Sequence, residues 1–356
     1  MASSGLCAHQ VGGMQPAESP TQAGEGGGGG AQLTIAISRF LRDLHCHGAA
    51  SEAVHPVGVL HAVSSLSSQY SRRTQQDSHE VLRQLLEGLR TEMAAATAAP
   101  AASDAVAAAS SSVAAGAAAP SPAATPAEAP TLVDATFGGA LRSTVVCLTC
   151  GAVSTSHEPF LDMSLPIPRI ARKGSVGSPT TEAAMHAEIA VVAGSRVAAA
   201  DVLAKLPSEL TATHERMRLA ACLQAFGAPE VLHGENAYTC TWCRDKAKAE
   251  AENVGGGDAP PMGGQPALKW VQIARVPRVL TLHLKRFRST GRRVHKIDEH
   301  VPFPALVDLS AFACAEPSGE PIKHFSQLGA ASRPPSPVRM RLYAVVEHQG
   351  NFTGGQ

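Results

Sequence analysis

The order of periodicities along the chain predicts an α+β fold. Helical apolar stripes occupy the first ninety or so residues, and a period-two apolar run appears only after Pro277. Between them stand two C-x-x-C pairs, Cys147/Cys150 in CLTC and Cys240/Cys243 in CTWC. A helical part followed by strands argues against a repeating βαβ unit.

The elements follow in chain order. Residues 1–30 are expected to be a disordered Gly-rich tail, ending in the five-glycine run 26–30. From Gln32 to His45, Leu33, Ile37, Phe40, Leu41 and Leu44 recur at helical spacing. A second helix is expected to start near Asp77, because Asp77 with Glu80 three residues later fits a capping box and Val81, Leu82, Leu85, Leu86 and Leu89 follow on one face. Residues 94–130 are Ala, Ser, Pro, Thr, Val and Gly with only Asp104 and Glu128 charged, which reads as a low-complexity insertion. Residues 169–207 are mixed in character, and 255–266 form a Gly/Pro spacer. Leu280, Leu282 and Leu284 alternate with Thr281, His283 and Lys285 as a half-buried strand does, and 342–347 reads as another short strand.

Composition narrows the function. The 356 residues carry 30 Lys+Arg against 30 Asp+Glu, so no basic surplus marks a nucleic-acid binder. Lys285, Arg286 and Arg288 read as a solvated strand end. No run of about 18 strongly apolar residues exists, so no membrane partner is expected. The start, MASSGLCAHQ, does not read as a secretory signal, which points to a reducing compartment, cytoplasmic or nuclear. Length alone suggests about two domains at roughly 150 residues each. With the insertions removed, one domain remains.

The cysteines carry the chemistry. A C-x-x-C knuckle lets two thiolates converge on one ion, and two knuckles complete a tetrahedral site of Cys147, Cys150, Cys240 and Cys243 for a structural Zn²⁺, with the knuckles expected on separate hairpins. Disulfides or a redox C-x-x-C are the alternatives, and a reducing compartment disfavours the former. Tyr238 and Trp242 are expected to pack over the metal. Cys222 and Cys314 read as small buried hydrophobes, and Cys46, between His45 and His47, as a solvated helix end.

Taken in order, these blocks resemble the ubiquitin-specific protease family of cysteine deubiquitinases. QQDSHEVLRQLLEGL (75–89) is similar to the family's QQD-x-x-E helix. FGGALRSTVVCLTCGAVSTSHEPFLDMSLPIP (137–168) resembles its first zinc knuckle and following strand, and LHGENAYTCTWC (232–243) the second knuckle. PRVLTLHLKRF (277–287), Lys296, VPFP (301–304) and LYAVVEHQGNFTGG (342–355) resemble its palm strands. The likeness is nearest to the subgroup that carries a zinc-finger ubiquitin-binding domain ahead of the catalytic one.

The resemblance implies a papain-like thumb and palm with zinc-ribbon fingers, truncated at both ends and interrupted by low-complexity insertions. It assigns 31–92 to the thumb, 93–130 to an Ala/Pro-rich insertion and 131–168 to the first fingers segment. A variable insert (169–215), the second fingers segment (216–250), a linker (251–266) and the palm strands (267–356) follow. It also implies hydrolysis of the isopeptide bond after the ubiquitin C-terminal glycine, with ubiquitin and ubiquitinated proteins as partners. Gln76, Asp77, Glu80 and His348 would contact the ubiquitin tail, whose arginines want carboxylates. Asp77 and Glu80 serve equally well as helix caps. Phe287, ending LKRF, is expected to pack in the core, with facing the ubiquitin tail as the alternative.

The family's nucleophile sits in a G-N-T-C-[YF]-x-N box, and the chain contains none. Cys7 is a weak nucleophile candidate without the flanking asparagines. Gln356 occupies the position of the catalytic histidine, and an amide cannot take a proton from a thiol. The chain as written is therefore expected not to hydrolyse its substrate, either as an incomplete copy of an active enzyme or as a catalytically dead, zinc-stabilised ubiquitin-binding scaffold. A zinc-ribbon interaction protein unrelated to ubiquitin is a third, remoter reading.

Overall fold

The computed structural model describes residues 32–47, 54–71, 77–108, 130–168, 196–206, 210, 218–253, 263–290, 293–314, 322–330 and 336–348. The expected tail 1–30, Cys7, Gln76, residues 109–129 of the insertion, most of 169–215, and Gln356 lie outside the described residues. The chain forms two compact units, Met1–Val133 and Asp134–Gln356.

The first unit is helical: α1 (Gln32–His47), α2 (Val57–Leu66) and α3 (Ser78–Ala108). Its small core gathers Leu33, Ala62 and Val63, with Ile37, Val59, Tyr70, Leu85 and Leu89 against them. Burying a side chain such as Leu33 contributes about 1.5–3 kcal/mol. The far end of the α1 stripe is not covered, since Leu41 and Leu44 are 55% and 48% exposed.

Helix α3 starts next to Asp77, as its capping pattern predicts, but with different bonds. Asp77 Oδ1 accepts the His79 N–H at 2.8 Å, while Glu80 Oε1 accepts from Gln69 Nε2 at 3.0 Å. Beyond Ala94, where composition reads as an insertion, α3 continues to Ala108. Alanine is the best helix former, and an established helix adds residues without a second nucleation cost.

Glu92 of α3 ties the unit together by capping another helix. Its carboxylate accepts the backbone N–H groups of Leu33 (2.9 Å) and Thr34 (2.7 Å) and the Thr34 hydroxyl (2.7 Å), covering the first turn of α1. Burial opposes the charge, but the Thr34 and Leu33 bonds prevail and hold the Glu92 carboxyl below its ordinary range. A depressed carboxylate adds stability above its unfolded-state pKa and loses it as pH falls through the folded-state value. Glu92→Gln should therefore cost about 1 kcal/mol at pH 7. In urea titrations the variant should lose less between pH 7 and pH 3 than the wild type. Equal pH dependence would remove Glu92 as the cap.

The second unit runs α4 (Leu132–Phe137), which straddles the boundary, then β1 (Gly139–Cys147), β2 (Val153–Phe160), β3 (Met163–Leu165), α5 (Ala199–Leu203), α6 (Leu219–Gly227), β4 (Glu230–Leu232) and α7 (Thr241–Asn253). It continues with β5 (Ala267–Arg275), β6 (Leu282–Leu284), β7 (Phe287–Thr290), β8 (Arg293–Lys296), β9 (Leu306–Asp308) and β10 (Arg339–Arg341). The main sheet has the antiparallel order β2-β1-β5-β4. Strand β5 is its centre, with Leu268, Trp270 and Gln272 buried on one face and Ala267 and Ile273 on the other. Helix α6 lies so close that a Cβ on Gly227 would come within 2.6 Å of the Val271 carbonyl oxygen.

Three expectations need correction. The strand expected at 342–347 does not form: pairing of β9 with β10 ends at Arg341, one further bond runs from Leu342 N–H to the Ala305 carbonyl at 2.9 Å, and Tyr343 and Val346 are 77% and 82% exposed. Among the described residues no neighbouring strand completes the ladder there. The strand after Pro277 is only Leu282–Leu284, paired in parallel with β3. Residues 196–206 of the mixed region contribute to the core: Ala199, Val202, Leu203 and Leu206 are buried beside Leu210, and the Arg196 and Val197 N–H groups bond the Leu148 carbonyl.

Candidate metal centre

The first knuckle is the turn of the β1–β2 hairpin. After Cys147 the chain turns at Leu148–Cys150, and Gly151 takes a φ of +76°, a conformation that favours glycine. The Gly151 N–H bonds the Cys147 carbonyl (2.8 Å) and the Cys147 N–H bonds the Ala152 carbonyl (2.9 Å). A strap at 323–325 lies against the turn, with Val153 N–H to the Lys323 carbonyl and Phe325 N–H to the Gly151 carbonyl, each at 3.0 Å. A Cβ on Gly151 would approach His324 Nε2 to 2.4 Å.

The second knuckle departs from the expected hairpin. Cys240 precedes helix α7, and Cys243 lies in its first turn. The sequence after Cys243, RDKAKAEAEN, is rich in helix formers, and Lys246 stands 3.9 Å from Glu250 one turn on. Neighbouring side chains on a helix diverge by about 100°. With Cys243 turned inward, Trp242 points to solvent, 66% exposed, and does not cover the cluster as expected. Tyr238 does pack there, and its backbone exchanges two bonds with Gln265.

These two elements bring the four cysteines together, with all four sulfurs within 4.8 Å of one another. Cys147 Sγ lies 3.8 Å from Cys243 Sγ, and Cys150 Sγ 3.7 Å from Cys240 Sγ. A tetrahedral ion with metal–sulfur bonds of about 2.3 Å separates its ligand sulfurs by about 3.8 Å, so the group can hold a metal ion and is compatible with a zinc ribbon. None of the described cysteines forms a disulfide. Burial disfavours a thiolate at Cys147, yet N–H donation from Cys150 and Thr149 brings its pKa below the ordinary value. Burial pushes the Cys150 thiol up to about 11, against N–H donation from Ala152, and raises Cys243 as well. Without a cation the protein thus favours protons on part of the set.

The other candidate residues are distributed over the two units. Asp77 and Glu80 are exposed at the start of α3 in the first unit. His348 belongs to the second unit, where its ring meets Phe287 edge-on at 5.5 Å between centroids and its carbonyl accepts from Lys296 Nζ at 3.4 Å. Phe287 is 39% exposed and lies beside His348 instead of in the core. Register explains the grouping, because Phe287 pairs with Lys296 across β7–β8. The resemblance marks Phe287, Lys296 and His348 in separate motifs, and only long-range pairing joins them. Cys222 and Cys314 are buried, and Cys46 is exposed near the end of α1.

The ubiquitin carboxyl-terminal hydrolase family matches residues 10–356. Among individual relatives, ubiquitin carboxyl-terminal hydrolase 3 of Homo sapiens is 28% identical over 304 residues, 85% of this chain and 45% of its own length. Ubiquitin carboxyl-terminal hydrolase 45 of Danio rerio is 32% identical over 152 residues, 41% of this chain and 16% of its own. The chain thus spans less than half the length of either relative. In fold it is similar to the SAGA Ubp8/Sgf11/Sus1/Sgf73 DUB module bound to ubiquitin aldehyde, with a TM-score of 0.53 and 17% identity over 91% of this chain and 50% of that one.

Proposed function

We propose that this chain, which belongs to the ubiquitin carboxyl-terminal hydrolase family, serves the removal of ubiquitin from conjugated proteins by isopeptide hydrolysis. In this reading its 356 residues supply the grip on ubiquitin and not the chemistry. The observation that carries it is the family match along nearly the whole chain, supported by four sulfurs spaced as a tetrahedral ion requires. The ion is zinc in a structural role, clamping the β1–β2 turn to α7, and cytoplasm or nucleus is the compartment that keeps its thiols reduced.

Hydrolysis needs a thiolate and a base. Four described cysteines are engaged in the metal group and Cys222 and Cys314 are shut in the core, so none of these six stands ready as a nucleophile. Asp77 is the strongest tail contact, because Oδ1 is used by the His79 N–H while the carboxylate as a whole stays exposed for an arginine.

Titration of the purified, zinc-loaded chain with ubiquitin should show saturable binding, and a fluorogenic ubiquitin C-terminal amide should not be turned over. Asp77→Asn keeps a good helix cap and removes the charge, so it should weaken binding about tenfold, or about 1.4 kcal/mol. Turnover would overturn the non-catalytic part of the reading, and absence of saturable binding would overturn the reading itself.

A further inference from the structure

Five serines or threonines in the chain precede a proline: Ser19, Ser121, Thr125, Ser178 and Ser336. Only Ser336 has a cation three residues on, Arg339; the others have Gln22, Ala124, Glu128 and Thr181 at that position. It is also the only one of the five within the described residues, and there it is exposed.

The local backbone presents this hydroxyl. Pro337 has no N–H to offer a ladder, and Ser336 stands at a bend outside β10, which begins at Arg339. Immediately after it the chain is fixed. The Val338 N–H bonds Ser310 Oγ at 2.9 Å, and the Val338 carbonyl accepts the Leu309 N–H at 2.7 Å. An accessible serine followed by proline, with a cation at the third position, is the charge and sequence pattern that a proline-directed protein kinase reads.

A receptor for the added charge stands nearby. Arg339 Nε lies 3.8 Å from Asp308 Oδ2, with both side chains more than half exposed, while Asp308 Oδ1 accepts the Ser310 N–H and hydroxyl at 2.9 and 2.5 Å. Its carboxylate is therefore held mainly by Ser310, and its loose pair with Arg339 is weak. The three residue steps from Ser336 to Arg339 span at most about 10–11 Å, within the combined reach of an arginine and a phosphoserine. A phosphate brings a charge of about −1.5 to −2 and three acceptor oxygens, and its pairing with a guanidinium fork is stronger than an exposed single-contact carboxylate pair.

We propose that Ser336 is a phosphorylation site for a proline-directed Ser/Thr kinase, and that Arg339 leaves Asp308 to capture the phosphate. The Ser336 hydroxyl oxygen attacks the γ-phosphorus of Mg-ATP and the bond to the β–γ bridging oxygen breaks. ADP departs, and the hydroxyl proton passes to the kinase's base. The new charge sits at the root of β10, the strand that runs directly into the segment ending at His348.

The test is to incubate the full chain with a cyclin-dependent-type kinase and Mg-ATP, with a known substrate as positive control, and map the product by tandem mass spectrometry. Phosphate at Ser336, absent in Ser336→Ala, is the expected result; an active kinase that leaves Ser336 unmodified overturns the site. The phosphate's second pKa, ordinarily about 6, should then be lower by about half a unit in a ³¹P NMR titration and return to its ordinary value in Arg339→Gln. A pKa that Arg339→Gln leaves unchanged overturns the capture.

Discussion

Cys240→Ser is expected to reduce bound zinc from about one ion per chain to near none and to unfold the region around α7. The four sulfurs lie at the separations that a tetrahedral ion with four thiolates demands, and a serine hydroxyl neither reaches nor ionises as a thiol does. The consequence is large because an ion held there would join positions far apart in sequence: Cys147 and Cys243 are 96 residues apart. Structural zinc sites contribute on the order of 10–16 kcal/mol at pH 7, comparable with the whole stability of a domain. Cys222→Ser is the control, since Cys222 is buried in the core away from the metal group and its loss should leave zinc content unchanged. Acid should mimic the cysteine variant. Binding displaces protons from thiols, Cys150 among them at about 11 in the absence of a cation, so protons compete better as pH falls and zinc is released on the acid side. Metal analysis by mass spectrometry and far-UV circular dichroism check both. A Cys240→Ser protein that keeps its zinc would end the assignment.

What was legible in the sequence divides along the range of the interactions. The C-x-x-C spacing is local, and it identified the four cysteines although 90 residues separate Cys150 from Cys240. The start of α3 was legible because a cap is a matter of neighbouring residues, Asp77 and His79. Strand β5 was not, because Lys269 and Gln272 interrupt its apolar pattern. Its buried face carries Gln272 beside Leu268 and Trp270, and its other face mixes the part-exposed Lys269 with buried Ala267 and Ile273, so apolar and polar residues do not alternate strictly in the sequence. The segment 342–347 failed in the opposite way. It has the composition of a strand, but a strand exists only with a partner, and the described residues supply none beyond Arg341. Val202, Leu206 and Leu210 were masked by an alanine-rich context, although the core takes them in. At the candidate site, the Phe287, Lys296 and His348 grouping depends on β7–β8 register, which no local pattern encodes.

Trp270→Ala should be the most damaging single change outside the metal group. Trp270 is 2% exposed at the centre of the main sheet, opposite Thr144 across β1–β5. Its Nε1–H donates to Gln272 Oε1 at 3.2 Å, and Arg142 Nη2 stands 3.5 Å from the same oxygen. Truncation removes the largest fully buried side chain and leaves a cavity, a loss of about 3–5 kcal/mol. It also takes one donor from a buried amide oxygen, although Arg142 remains beside it. Trp270→Phe separates the two contributions: it keeps much of the apolar volume, loses the N–H and should cost about 1–2 kcal/mol. The two tryptophans make the measurement specific. Trp242 is 66% exposed, so Trp242→Ala should stay within about 0.5 kcal/mol of wild type and leave the blue-shifted, quencher-resistant fluorescence expected of the buried Trp270 intact. Urea unfolding followed by circular dichroism gives the stability of all three variants on a signal that does not depend on the indole. If Trp270→Ala proved as stable as Trp242→Ala, β5 would not be the centre of the core. The clamp between the cysteine cluster and the rest of the second unit would then lose its footing, since Leu148 of the first knuckle hangs on the Pro266 carbonyl immediately before β5.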